Sequence, residues 1–403
     1  MSRPLTIAHV SDLHVSTFGD TFHDRARIVK RSARVADTSA ARLEVVWSEA
    51  GWRVLRERET RGKKLHIVDP DGYSHPLPRK SQSTLIDPIE RAAEKACRLE
   101  ARRAKTLATA DLSLGALVTL AETTPKNSNV RLLRAVRQVE ACNVDFVAIT
   151  GDLTDDGDGY ELIEGAFGRW KSAGKLLAIP GNHDLYLFPL SGSGRPRPSH
   201  ESKRAAWLAF AARIGLDVNA CGAWVRELPE SDTVIVGLDT CVRPQRRFFR
   251  HNGGVGEGQL AWLKAYGGGD VWKSARHRVV MLHHHVVPLP HGVGRRAPSE
   301  IGMRLDDAKS AAELFDEIGV TLVMHGHRHI SEERQPAGCK FRLLAAPSLT
   351  LGCRSGDGPS FWSVKLDEHV HSTRVYIDLE SVDEDEDPGV STEQLPEAAD
   401  DSG

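Results

Sequence analysis

"VDFVAITGDLTDDGD", residues 144–158, decides how this chain is to be read. A nearly continuous apolar run stops at Gly151-Asp152. Such a run suits a strand buried on both faces rather than one that alternates between core and water. The aspartate then falls at the carboxyl end of the strand, where layered α/β proteins bind their ligands. The same grammar recurs in "LTIAHVSDLHV" (5–15), "GKLLAIPGNHDLY" (174–186), "RVVMLHHHVVPLP" (278–290) and "GVTLVMHGHRHI" (319–330). Helical patterns lie between the runs, as in "LLRAVRQVEAC" (132–142) and "DDAKSAAELFDEIG" (306–319). The alternation predicts a layered α/β fold.

The strand ends share a chemistry. They present Asp12, His14, Asp152, Asn182, His183, a histidine cluster starting at His283, His327 and His329. Carboxylate and imidazole are ligands for borderline divalent metals. No cysteine stands at these ends, which argues against a structural zinc site. So many oxygen and nitrogen donors exceed what one ion with an open position takes. They suit two ions bridged by one carboxylate. Ions ~3.5–4 Å apart can generate a hydroxide at neutral pH and clamp a phosphoryl group. A lone Asp-x-His or a histidine at a strand end carries little by itself. Five separate strands delivering such side chains at the same end carry the inference.

These blocks, Asp12-Leu-His14, Gly151-Asp152-Leu-Thr-Asp155, Gly181-Asn182-His183-Asp184, His283 after a strand, and Gly326-His327-Arg-His329, resemble the calcineurin-like metallophosphoesterases. All five stand in that family's order, across roughly residues 4–20 and 136–378. The resemblance implies a four-layer αββα sandwich with a dinuclear metal centre. Asp12, His14 and His329 would hold one ion. Asn182, His283 and His327 would hold the other, with Asp152 bridging. His183 would face the substrate, binding phosphate or protonating the leaving group, with Asp184 tuning it. The mixed donor set fits Mn, Fe, Zn or Co. The family places its ligand at the first histidine after the strand, which points to His283. Neighbours in a strand point to opposite faces, so His283 and His284 cannot both aim at one metal without a bend. His284 stays open as the alternative, and His285, beside Val286-Val287, reads as structural.

The expected reaction is metal-dependent phosphoric ester hydrolysis by attack of a metal-bound hydroxide. Serine/threonine phosphatases of the superfamily read Gly-Asp-x-Val-Asp-Arg-Gly and Gly-Asn-His-Glu. Here Asp156 replaces the phosphate-binding arginine and Asp184 replaces the glutamate. An added acid repels a dianionic monoester more than a monoanionic diester. "HHHVVPLP", "GEGQLAWLK" (256–264), "VIVGLDT" (234–240) and "LLAAPSLTLG" (343–352) resemble the bacterial class III cyclic-nucleotide phosphodiesterase branch. A small phosphodiester is therefore the expected substrate. A nuclease is the first alternative. A non-enzymatic metal-binding scaffold is the second, and the intact ligand set counts against it.

The 403 residues divide as 1–20, the first strand and its metal loop; 21–135, an insertion; 136–378, the rest of the phosphoesterase domain; and 379–403, an acidic tail. In the insertion, residues 52–77 read as strands with turns at Gly62 and Asp71-Gly72, and 87–122 reads as helix. Residues 21–110 hold 20 Lys/Arg against 12 Asp/Glu. That basic surplus opens a route to nucleic acid, while a cap or a homodimer surface is the plainer reading. From Asp378 onward there are eleven acidic residues and no Lys or Arg, a composition expected to be disordered. The six cysteines are scattered without a CxxC pair and read as reduced thiols of a cytoplasmic protein. No apolar window reaches the ~20 residues of a membrane span.

Overall fold

Strand β1 (Leu5–Val10) shows why these runs become central strands: every residue but Thr6 is buried. The computed structural model of this chain describes residues 3–15, 43–49, 52–57, 65–68, 74–75, 128–155, 157–187, 199–241, 252–287, 305–353, 356–378 and 392–393. The chain folds as two units. One comprises Met1–Thr17, Leu112–Pro189 and Pro198–Gly403; the other comprises Phe18–Asp111 and Leu190–Arg197.

The second unit contributes strands β2 (Leu43–Glu49), β3 (Trp52–Glu57), β4 (Leu65–Val68) and β5 (Ser74–His75), paired in that order as an antiparallel sheet. The expected strands of residues 52–77 are present, with β2 added at the edge. The expected helix over 87–122 lies outside the described residues.

In the first unit, helix α1 (Ser128–Ala141) leads into β6 (Phe146–Thr150). Helices α2 (Tyr160–Ala166) and α3 (Gly168–Ser172) then cross to β7 (Leu176–Ile179), and the short α4 (Asn182–Leu185) follows. Next come α5 (His200–Arg213), β8 (Trp224–Leu228), β9 (Thr233–Gly237), α6 (Glu257–Gly267), α7 (Asp270–Ser274), β10 (His277–Met281), α8 (Ala308–Glu317) and β11 (Leu322–His325). The chain closes with β12 (Glu332–Arg334), β13 (Arg342–Ala345), β14 (Ser360–Leu366), β15 (Val370–Tyr376) and β16 (Thr392–Glu393). Two six-stranded mixed sheets result, ordered β16-β15-β14-β1-β6-β7 and β12-β13-β11-β10-β9-β8. The β1–β6–β7 and β9–β10–β11–β13 runs are parallel; helices lie in the crossovers except between β11 and β13, where the chain passes through β12. Thr392 and Glu393 pair with Val375 and Arg374; the rest of the acidic tail lies outside the described residues.

Both faces of the second sheet are buried. Val234, Val236, Val280, Val323 and Leu343 pack with Leu263, Trp272, Leu314 and Phe315 of α6, α7 and α8. Their alternates Ile235, Val279, Met281, Met324 and Leu344 are equally inaccessible. Indoles tie the sheets together: Trp224 Nε1 donates to Ala178 O at 2.9 Å and Trp362 Nε1 to Ala345 O at 2.8 Å. This is the αββα sandwich expected from the sequence. All five cysteines among the described residues are free thiols.

Candidate metal centre

The carboxyl ends of β1, β6, β10 and β11 and the turn after β7 converge on one buried space. The backbone there is strained. Seven described non-glycine residues have positive φ, and five are Asp12 (52°), His14 (48°), Asp152 (47°), His327 (72°) and His329 (48°). Left-handed backbone is costly for residues with a Cβ and persists where surrounding contacts fix it. Those contacts are visible. Asp12 N donates to Gly151 O and His14 N to Asp152 O, both at 3.0 Å. Ser348 Oγ donates to Asp12 O at 2.6 Å, and Thr350 Oγ1 to Leu13 O at 2.8 Å. Gly181 permits the close approach of two loops, since a Cβ there would overlap the Asp152 backbone and carboxylate.

Three groups of donor atoms, each within 4.8 Å, share this space: Asp12, His14 and His329; Asp152, His283 and His327; and His14, Asp152 and His183. The third overlaps the other two, so the first two are contiguous. His329 Nε2 lies 3.2 Å from Asp12 Oδ1 and 3.0 Å from His14 Nε2. His283 Nε2 lies 3.0 Å from Asn182 Oδ1, 3.4 Å from Asp152 Oδ2 and 3.2 Å from His327 Nδ1. The second oxygen of Asp12 accepts from the backbone N of His327 at 3.0 Å, which ties the β11 loop to the β1 loop.

Hydrogen bonds on the far side fix the imidazole tautomers. His14 Nδ1 faces Asp155 Oδ1 at 3.0 Å, and His283 Nδ1 faces Thr150 O at 2.8 Å. Both partners only accept, so Nδ1 carries the proton and Nε2 presents its lone pair to the site. His283 Nε2 therefore points at two further acceptors, Asn182 Oδ1 and Asp152 Oδ2. Acceptors converging in a buried space demand a proton or a cation between them. In the metal-free chain the proton answers. Burial alone lowers both imidazoles, yet Asp155 raises His14, and Asp152 raises His283, each to about 9. Burial pushes the Asp152 carboxyl up, but His283, His183 and His14 hold it well below the usual range. A nitrogen and oxygen donor set of this charge fits divalent ions.

His284 and His285 settle differently. His284 Nδ1 lies 2.7 Å from Thr240 Oγ1, and its ring packs 4.4 Å from that of His327. His285 is buried with its ring 6.4 Å from that of His325. Of the three, His283 is the one whose nitrogen meets Asn182 and Asp152.

His183 sits at the rim of the site. Its N–H donates to Asp152 Oδ1 at 2.8 Å, and its Nδ1 lies 2.8 Å from Asp155 Oδ1. The carboxylate against His183 is thus Asp155, not the expected Asp184. Asp184 instead accepts from Gly181 N, Leu153 N, Thr154 N, Thr154 Oγ1 and Tyr160 Oη, pinning two loops together. Burial and the nearby Asp152 charge hold its carboxyl above the usual range. Asp155 went unassigned in the sequence although it closes the Gly151–Asp155 block; its spacing from Asp152 is the signal that marks it.

The sequence profile of the calcineurin-like phosphoesterase family matches residues 104–331, so the chain belongs to that family. Members work with two divalent metal ions, and the two contiguous groups fit such a pair. The chain is 26% identical over 232 residues to the manganese-dependent ADP-ribose/CDP-alcohol diphosphatase of Arabidopsis thaliana, covering 50% of this chain and 71% of that one. It resembles a dimetal phosphatase from Danio rerio at a TM-score of 0.47, with 14% identity, covering 92% of this chain and 94% of that chain. It also resembles a purple acid phosphatase from yellow lupin (Lupinus luteus) seeds at a TM-score of 0.45, with 8% identity, covering 97% and 53%. No helix among the described residues is long and apolar enough to cross a membrane.

Proposed function

We propose that this metal-dependent phosphoester hydrolase cleaves phosphodiester bonds. The observation that carries the reading is the pair of contiguous donor groups with His183 at their edge. Asp12, His14 and His329 would hold one ion; Asn182, His283 and His327 the other; Asp152 would span both. When bound, the ions supply an activated water and neutralise charge on the phosphoryl oxygens. Asp155 keeps the proton on His183 Nδ1, which presents Nε2 to the substrate. There the ring would donate a proton to the departing oxygen or steady the phosphate. Asp184 holds the two loops that carry Asp152 and His183.

Asp156 in place of an arginine supports a diester over a monoester. The motif style of "HHHVVPLP" and its neighbours supports a cyclic nucleotide. A second reading has its own support: the Arabidopsis relative is named for diphosphates, whose phosphoanhydride also joins singly charged phosphorus centres.

The test is hydrolysis of bis(p-nitrophenyl) phosphate and p-nitrophenyl phosphate by Mn-reconstituted protein, beside Asp152→Asn and His183→Ala. The expected result is faster diester than monoester hydrolysis, lost in Asp152→Asn and lowered in His183→Ala by the share that phosphate binding contributes, since p-nitrophenolate leaves with little protonation. Faster monoester hydrolysis, or activity indifferent to Asp152, contradicts the reading. Cyclic AMP, ADP-ribose and single-stranded nucleic acid then separate the finer readings, and salt-sensitive binding marks the nuclease.

A further inference from the structure

A buried lysine stands behind the turn that carries His183. Lys203, on α5, is 2% exposed. Its Nζ donates to His183 O and to Tyr186 O, both at 2.8 Å. Three residues earlier, His200 Nδ1 lies 3.2 Å from Leu185 O. The reason lies in α4. A four-residue helix cannot satisfy its own last carbonyls. The first turn of α5 supplies the donors, and the lysine brings a positive charge to a helix C-terminus, where it is favoured.

The peptide of His183 is thereby held at both ends, its N–H by Asp152 and its carbonyl by Lys203. The lysine stem is held in turn. A Cβ on Gly157 would lie 2.8 Å from Lys203 Cγ, so a residue with no side chain stands there. A buried ammonium is costly unless its donors are used, and here they are spent on the turn beside the reacting groups.

We propose that Lys203 is a positioning residue for His183, fixing the His183 carbonyl so that the imidazole meets the leaving oxygen. The inference rests on the proposed reading of His183 as the group that faces the substrate. It has a signature that a purely structural lysine lacks. A misplaced proton donor harms substrates whose leaving group departs as a poor anion. It spares p-nitrophenolate, which needs little protonation.

The experiment uses the Mn-loaded full chain with diphenyl phosphate and bis(p-nitrophenyl) phosphate. Lys203→Met, Lys203→Arg, His183→Ala and the Lys203→Met/His183→Ala double variant are compared with wild type, with bound metal measured in each. Lys203→Met is expected to lower kcat on diphenyl phosphate at least ~10-fold, with KM and metal content unchanged and a much smaller loss on the nitrophenyl ester. Lys203→Arg keeps the charge and the donors and is expected to recover most of that loss. In the His183→Ala background, Lys203→Met is expected to cost nothing more. Equal losses on both esters, or a full extra loss in the double variant, overturn the proposal. If Lys203→Met does not fold, Lys203→Gln carries the same comparison; failure of both to fold makes the lysine a residue of the fold and overturns it too. A His183→Ala protein as active as wild type on diphenyl phosphate instead sinks the reading of His183.

Discussion

Asp152 and Asp155 stand three residues apart and meet different partners. Asp152 faces His283 and the backbone of His183, whereas Asp155 takes the Nδ1 atoms of both His14 and His183. Burial pushes the Asp155 carboxyl up, yet hydrogen bonds from His14 and His183 hold it well below the usual range. The carboxylate therefore stays charged and orients two imidazoles at once. Asp155→Asn retains the shape but offers an amide where an acceptor is needed. It is expected to lower kcat by about 10²-fold, with bound metal reduced less than activity. Steady-state kinetics with metal analysis checks this, and an unchanged kcat contradicts it. The clustering of these side chains was legible in the sequence because carboxylates and imidazoles at strand ends have few other reasons to recur. The Asp155–His14 contact was not, since 141 residues separate the partners.

At the scale of elements, the site depends on loops that hold strained backbone. The loop after β1 carries Asp12 and His14, both at positive φ, and the loop after β13 braces it from behind through Ser348 and Thr350. Ser348→Ala removes the donor to Asp12 O and the acceptor for Leu351 N. Its expected effect is a loss of about 1 kcal/mol in stability and of about tenfold in Mn affinity. Denaturant unfolding and metal titration measure the two separately; unaltered Mn affinity contradicts the bracing role. The inner strands were legible from their apolar runs. The edge strand β12, "EER", was not, because its charged residues give no apolar signal and pairing with β13 makes the strand. Nor was α4: "NHDL" reads as a turn, and Asp184 together with the first turn of α5 holds it helical.

Across the whole molecule, buried histidines link stability to pH and to metal. His14 and His283 are raised to about 9 in the metal-free fold, above their ordinary 6.5. Their stabilisation is complete below 6.5 and is lost as pH rises through 9. His9 and His325 are held at about 3, first by burial and then by neighbouring imidazoles. The unfolded chain binds their protons first, so stability falls as pH drops from 6.5 toward 3. The metal-free melting temperature is expected to peak near pH ~6.5. If His14 and His283 hold metal as proposed, added Mn would displace their protons, and it should lift the alkaline side most. Melting scans with and without Mn test this, and an alkaline side that Mn leaves unmoved contradicts it. The central claim is that two metal positions stand side by side and that His283, not His284, closes one of them. The most direct measurement is a calorimetric titration of metal-free protein with Mn at mildly alkaline pH, for wild type, His283→Ala and His284→Ala. The account predicts two ions per chain in wild type and in His284→Ala, and one in His283→Ala. A single ion or none in wild type, or a site lost through His284 and kept without His283, would contradict it.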